Sequence, residues 1–343
     1  MSKIKLSKKF NIEDYTLSND DPIFIIAEAG VSHFGSIKKA YQLVDMAVEA
    51  NADSIKFQIF DVDEMISKQD VEWKSRMKKR QLSYDKFKKI SDYCKKNKII
   101  FSATAHDEKS FKFLQTLNPP FYKIGSGEIN NITFQKQIAK AKKPIFFSTG
   151  MHNYTDINKS LKAMTLTGNK DIAILHCISK YPTNKINSNL GSITFLKNKF
   201  NCIVGYSDHT KGYEVPVYSV FLGSKIIEKH ISLDFNVENA QDWKVSCGPH
   251  NFKKFVRKVK DAEKIIGNID KKISPVEIST KKWAMKSLFY KEGYKKGKII
   301  RKNNIVIKRP GSGINPSLIN KIFNMKLKVS VAKDTIIKFS DFE

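Results

Sequence analysis

Eight short apolar runs in this chain each end on residues that can bind anions, move protons or hold a metal. IFIIAE ends at Glu28, SIKFQIF carries Lys56 and Gln58, and IIFSAT ends at Thr104. FYKIGSGE supplies Lys123, Ser126 and Glu128, PIFFST supplies Ser148, and IAILHCIS runs out at Ser179. CIVGYSDH brings Ser207, Asp208 and His209, and KIIEKH brings His230. A lysine inside an apolar run is costly to bury alone, so Lys56 and Lys123 each call for an anionic partner. Glu28, Glu128 and Asp208 are the internal candidates, and a substrate phosphate or carboxylate is the external one. Two ammonium groups with the hydroxyls of Thr104, Ser126, Ser148, Ser179 and Ser207 suit a small molecule carrying both kinds of anion. His209 and His230 end consecutive runs. Two imidazoles with substrate oxygens and water suit a divalent ion such as Mn²⁺, Co²⁺ or Zn²⁺.

These residues share one site only if the runs are strands that end on the same face. Between the runs lie helix-patterned stretches. In IKKAYQLVDMAVEA, Ala40, Leu43, Val44, Ala47 and Val48 fall on one helical face. Further amphipathic helices are predicted at 83–96, 107–117, 132–142, 155–167, 188–200, 212–223 and 250–266. Strand and helix alternating over about 250 residues predicts an α/β chain folded as a (β/α)8 TIM barrel, whose strand C-termini converge on one mouth. DVDEMISKQDVEWKSRMKKRQLS (61–83) is long for a strand-to-helix connection and predicts a loop over that mouth. Residues 1–20 read as an arm or edge element. His176, inside IAILHCIS, reads as a core residue. His33 reads as a site residue or a helix cap, and His106, His152 and His250 as loop residues.

The pattern changes after the last barrel helix. We expect the barrel over 1–268 and a linker over 269–284, where Gly, Pro and charge mix. A small β-rich domain is expected over 285–343, where short strands alternate with turns such as Pro310-Gly311-Ser312-Gly313. With so few residues it needs something to dock against. No apolar run approaches a membrane span, and the first residues lack the apolar core of a secretory signal. Cys94, Cys177, Cys202 and Cys247 show neither CxxC spacing nor disulfide-scaffold density. The expected protein is reduced, soluble and cytoplasmic, with no membrane partner. The net charge of +27 raises nucleic-acid binding, but only five of 61 basic residues are Arg, and the lysines are scattered through the helices. That distribution describes a solvated lysine-rich surface, which steers small anions, rather than a nucleic-acid footprint.

IAEAGVSHFGS, ADSIKFQIF, YKIGSGEINN, FFSTGM, HCISKYPTN, VGYSDHT and IIEKH occur in the order and spacing of the sialic acid synthase family, which the chain resembles over nearly its whole length. The tail IVIKRPGSGI resembles that family's antifreeze-like (SAF) C-terminal domain. Such enzymes condense phosphoenolpyruvate with an N-acyl hexosamine to make nonulosonic acids. The resemblance implies that Lys56, Gln58, Thr104, Lys123, Ser126, Ser148, Ser179, Tyr181 and Ser207 contact phosphoenolpyruvate. It implies that His209 and His230 bind Mn²⁺, with Mg²⁺ or Co²⁺ as substitutes. Glu28 is the expected proton-transfer group, with Glu128 second; Asp242 and Arg309 are the expected sugar contacts. Arg309 would come from the partner in a domain-swapped homodimer.

Three positions depart from the family pattern. Ser32 replaces an Asn, and Thr104-Ala105-His106 replaces Thr-Pro-Phe. The Gly-Pro-Asp-His loop becomes Asn239-Ala240-Gln241-Asp242-Trp243, in which Trp243 adds a large surface beside Asp242. A related possibility is an aldose phosphate acceptor, with the basic stretch Lys74 to Arg80 clamping its phosphate.

Overall fold

The computed structural model describes residues 4–267 and 270–343. They form two compact units, Met1–Gly267 and Asn268–Glu343. The expected boundary at 268–269 lies outside the described residues.

The first unit is a closed eight-stranded parallel barrel preceded by an antiparallel hairpin, β1 (Lys9–Ile12) and β2 (Tyr15–Ser18). The barrel strands are β3 (Phe24–Gly30), β4 (Ser54–Ile59), β5 (Ile100–Ala105), β6 (Tyr122–Ile124), β7 (Ile145–Ser148), β8 (Ile172–Cys177), β9 (Val204–Asp208) and β10 (Ile226–His230). Pairing of β10 with β3, which sets His230 opposite Glu28, closes the ring. The outer helices are α1 (Ile37–Glu49), then α2 (Val62–Met65) and α3 (Val71–Lys78) within the long insertion, and α4 (Tyr84–Lys96). They continue with α5 (Glu108–Thr116), α6 (Ile132–Lys140), α7 (Tyr154–Thr165), α8 (Gly191–Phe200), α9 (Glu214–Phe221) and α10 (Phe252–Ile266).

Side chains alternate in and out along each strand, and that alternation builds the site. Low in the barrel the inward positions are apolar: Phe24, Ile26, Phe121, Phe146, Leu175, Ile203 and Ile226 form one buried cluster. Phe10, Ile12 and Leu17 of the hairpin join this cluster, so the polar N-terminal segment folds as a plug rather than a loose arm. One step further along the same inward faces stand Glu28, Lys56, Thr104, Lys123, Ser148 and Glu228. The outward positions pack against the helices in a second, larger core. No helix among the described residues is long and apolar enough to cross a membrane.

In the second unit β11 (Ser287–Tyr290) pairs antiparallel with β12 (Ile305–Lys308) around a core of Leu288, Tyr290, Ile300, Ile314, Leu327 and Ile337. The stretch read as a linker contains a helix, α11 (Glu277–Ala284). Only its first part carries loop composition; Pro275 stands just before a run free of Gly and Pro.

Candidate active site

The mouth of the barrel holds two adjoining cavities. The inner one, about 240 Å³, is lined by Glu28, Lys56, Gln58, Thr104, Lys123, Ser126, Ser148, Ser179, Tyr181, His209, Glu228 and His230, together with His106 and Met151. The outer one, about 780 Å³, lies beneath the 61–83 insertion, which contributes Glu64, Met65, Trp73 and Met77. Glu128, Asn131 and Glu108 line its other wall. Gln58, His106 and Gly127 line both cavities.

The inner cavity is built around one shared carboxylate. Glu228 lies 3.2 Å from Lys56 Nζ and 3.3 Å from Lys123 Nζ. Lys56 also pairs with Glu28 at 2.7 Å and donates to Thr104 Oγ1 at 3.0 Å, while Lys123 donates to Ser148 Oγ at 2.7 Å. Burial pulls Glu228 up, yet Lys123 and Lys56 hold it well below the usual carboxylate range. For Glu28 burial wins over the opposing Lys56, and its carboxyl is raised toward neutrality. Burial lowers Lys123, while two carboxylates outweigh burial at Lys56 and raise it. Lys123 therefore has only a part share in one carboxylate, and its remaining donors suit an anion bound beside Ser148.

Glu28 Oε1 accepts from Gln58 Nε2 at 3.2 Å. Gly30, at φ +51°, lets three side chains converge: a Cβ there would meet Glu28 Oε1, Asp242 Oδ2 and Gln58 Nε2 within 3.3 Å. Ser126 and Ser179 converge at Gly150, whose N–H donates to Ser126 Oγ at 2.9 Å. A Cβ on Gly150 would collide with Ser179 Oγ.

The two histidines face one another with ring centroids 5.3 Å apart. Nδ1 of His209 lies 2.8 Å from the carbonyl oxygen of Ile178 and 3.5 Å from Cys177 Sγ, which keeps the proton on Nδ1 and leaves Nε2 as a lone pair. His230 is held neutral by burial and by His209, and its Nδ1 is buried without a partner. Burial pulls His209 down, yet Cys177 and the Ile178 carbonyl outweigh it and raise its affinity for a proton; a divalent ion would take the His209 Nε2 position in that proton's place, with its other positions going to His230, substrate and water. Among the described residues no group of three His, Cys, Asp or Glu surrounds a metal unaided. Behind the histidines Asp208 and Lys229, both fully buried, pair at 2.5 Å across β9 and β10.

Of the expected site residues, Glu28, Lys56, Gln58, Thr104, Lys123, Ser126, Ser148, Ser179, Tyr181, His209 and His230 come together in the inner cavity. Ser207 is buried opposite Glu228 but lines neither cavity. Glu128 stands apart in the outer cavity, its Oε2 accepting from Asn131 Nδ2 at 2.9 Å. Asp242 adjoins Glu28 at Gly30. Arg309 directly follows β12 in the second unit, its guanidinium over the Trp283 ring.

The structure departs from several expectations. His33 lies outside both cavities, among Phe57 and Phe87, where its Nδ1 accepts from Gly35 N. Trp243 lines neither cavity; its Nε1 donates to Val237 O and fastens its own loop. Most of the basic stretch is paired within the chain: Lys74 and Lys78 with Asp63, Arg76 with Glu72, and Arg80 donates to Asn239 O. Among the described residues no Lys or Arg lines the outer cavity. Glu228, Trp73 and His106 are site residues that sequence reasoning missed. Glu228 was open to detection, since it precedes His230 by two and must share its inward face.

The motif resemblance has an independent counterpart. Residues 43–271 match the NeuB family and 286–343 match the SAF domain. The chain belongs to the NeuB family. It is 33% identical over 93% of its length to N,N'-diacetyllegionaminic acid synthase of Legionella pneumophila, covering 94% of that protein. It is 31% identical over 92% of its length to N-acetylneuraminate-9-phosphate synthase of Homo sapiens, covering 91% of it. Among solved structures, an N-acetylneuraminic acid synthetase from Leptospira borgpetersenii in complex with citrate superposes with a TM-score of 0.76 at 30% identity, covering 80% of this chain and 96% of that one. This NeuB-family chain thus carries a sialic-acid-synthase-type barrel and a SAF domain.

Proposed function

We propose that this transferase condenses phosphoenolpyruvate with an unphosphorylated N-acyl hexosamine and water, giving a nonulosonic acid and inorganic phosphate. N-acetylmannosamine and its deoxy or diacetamido analogues are the acceptor class. The observation that carries the reading is the pair of buried lysines sharing Glu228, with Thr104 and Ser148 bonded to their ammonium groups. Such a cluster suits a compact phosphate- and carboxylate-bearing molecule, and the family relationship supplies its identity. A phosphorylated acceptor calls for a second cationic clamp, and among the described residues of this chain the outer cavity is lined by Glu64, Glu108 and Glu128 with no Lys or Arg.

Lys56 and Lys123 hold phosphoenolpyruvate with its C3 toward the outer cavity. C3 bonds to the acceptor's carbonyl carbon, and the carbonyl oxygen takes up a proton. Water adds at C2 and loses one proton; the C2–O bond to the phosphate then breaks, phosphate leaves with the electron pair and takes up the proton that the C2 hydroxyl gives up, and a 2-keto acid remains. Glu28, raised toward neutrality and oriented by Gln58, is the group assigned to these proton transfers, with Glu128 second. A divalent ion on His209 and His230, Mn²⁺ first with Mg²⁺ or Co²⁺ as substitutes, would supply Lewis-acid polarisation or a nucleophilic water. Ser126, Ser148, Ser179 and Tyr181 complete the phosphoenolpyruvate side, and Asp242 the sugar side. By resemblance, the protein works as a domain-swapped homodimer in the cytoplasm, with Arg309 entering the partner subunit's sugar pocket.

The test is phosphate release from phosphoenolpyruvate and Mn²⁺ across free amino- and deoxy-hexoses and their 6-phosphates, with mass spectrometry of the product. Release with free sugars supports the reading. Release with 6-phosphates alone transfers it to the aldose-phosphate class, and no sugar-dependent release rejects both.

A further inference from the structure

His106 stands where the two cavities meet, and nothing in the reaction above uses it. Its placement is strand-like: its backbone N–H donates to Ile59 O, one step beyond the Ile59–Ala105 pair that ends the β4–β5 ladder. Ser102, Thr104 and His106 therefore follow the inward face of β5, with His106 about 6.7 Å above Thr104 along the strand. The residue after it is locked. Asp107 accepts from Ser110 N and Ser110 Oγ, both at 2.7 Å, and from Asp61 N at 2.8 Å. Phe60 meets the ring edge-on, with centroids 6.5 Å apart. A ring held this firmly is preorganised for whatever it meets.

The ring's own bonding capacity is unspent. Among the described residues no group hydrogen-bonds to it, and the half-buried ring faces both cavities. Burial, with Lys56 and Lys123 nearby, pushes it down to about 4, so the imidazole is neutral at physiological pH. A neutral ring offers one N–H donor and one acceptor nitrogen. The new carbon–carbon bond joins a molecule in the inner cavity to one in the outer, so the acceptor's carbonyl end lies at the junction. The substituent next to that carbonyl is the C2 acyl-amide, which itself offers one donor and one acceptor. The phenylalanine usual at this position in the resembled family has neither.

We propose that His106 hydrogen-bonds the C2 acyl-amide of the acceptor sugar and adds, in this chain, to the selection for it. The inference rests on the condensation proposed above, and the experiment separates the two. Wild type, His106→Phe and His106→Gln are assayed for phosphate release with N-acetylmannosamine, mannose and 2-deoxyglucose, alongside phosphoenolpyruvate KM and circular dichroism. In His106→Phe the kcat/KM preference for N-acetylmannosamine over 2-deoxyglucose should fall about 10- to 100-fold, the loss of one or two buried hydrogen bonds, with phosphoenolpyruvate KM unchanged. His106→Gln keeps a donor and an acceptor, so it should restore most of the preference and leave the pH–rate profile unaltered. An unchanged preference in His106→Phe, or an equal loss toward phosphoenolpyruvate, overturns the assignment while the condensation stands. A wild-type enzyme that turns over none of the three sugars and no diacetamido-deoxy analogue of N-acetylmannosamine overturns the condensation and the assignment with it. Should His106→Phe not fold, a wild-type preference in His106→Ala overturns the assignment and a collapsed one supports it.

Discussion

Replacing Glu228 by Gln should weaken the fold and strengthen anion binding at once. Its carboxylate lies 3.2 and 3.3 Å from two ammonium groups, and all three side chains are at least 95% buried. At an effective dielectric of about 20, each contact is worth about 5 kcal/mol before desolvation is counted. Much of that offsets the cost of burying the charges, so breaking the cluster should destabilise by about 3–5 kcal/mol. For a unit of this size that is roughly 6–20 °C in Tm. Glutamine keeps the shape and one acceptor oxygen, so the loss is one of charge rather than packing. With Glu228 neutral, Lys56 retains Glu28 but Lys123 loses its carboxylate, and an incoming phosphate or carboxylate becomes its partner. Thermal shift with and without phosphoenolpyruvate, and calorimetric titration of phosphoenolpyruvate, read both effects. The ligand-induced rise in Tm should be larger in the variant than in wild type. A Tm within about 2 °C of wild type, or weaker phosphoenolpyruvate binding, would refute the idea that Glu228 neutralises both lysines.

His230→Ala should abolish calorimetrically detectable Mn²⁺ binding while the circular dichroism spectrum stays native; binding equal to wild type would dismiss the two-histidine site. His33 is pushed down to about 3 by burial, whereas an unfolded chain takes up the proton near 6.5, so the native state loses stability as pH falls through that window. His33→Gln should remove about 2–3 kcal/mol of the stability lost between pH 7 and pH 4.5, seen as a smaller shift in urea midpoint; an undiminished shift would assign the effect elsewhere. Arg309→Ala and His209→Ala proteins, each inactive, should regain part of the activity on subunit exchange, since a mixed dimer holds one intact composite site. Proven exchange without recovery would confine Arg309 to its own chain.

The barrel was legible because its two periods switch cleanly. Strand runs end on polar residues, and helices such as 37–50 carry one apolar face. The inner cavity was legible for the same reason, since a common fold face gathers every strand end. What escaped was finer than that logic. Reading KIIEKH only for its last residue passed over Glu228, although an inward His230 obliges Glu228 to point inward too. The same alternation sends Lys229 outward to Asp208, so a lysine in a strand need not belong to the site. His106 looked like a loop residue because the apolar run stops before it, yet the backbone ladder does not. The separation of Glu28 and Glu128 into different cavities depends on the short turn Ser126–Glu128 after β6, which no periodicity encodes.

The nested cavities impose traffic rules. Phe24, Phe121 and Phe146 pack the barrel axis below the inner cavity, with the β1–β2 hairpin beneath them. Entry from above passes the constriction formed by Gln58, His106 and Gly127. With the substrates placed as proposed, a sugar already seated in the outer cavity would stand in the doorway, so phosphoenolpyruvate would have to arrive first. Excess sugar should then inhibit by blocking entry, competitively toward phosphoenolpyruvate. Departure runs in reverse: the nine-carbon acid clears the threshold before the phosphate behind it is free to go. Inorganic phosphate, last out, should be the product that competes with phosphoenolpyruvate for the empty enzyme, and a phosphate inhibition pattern non-competitive toward phosphoenolpyruvate would mean a second exit exists.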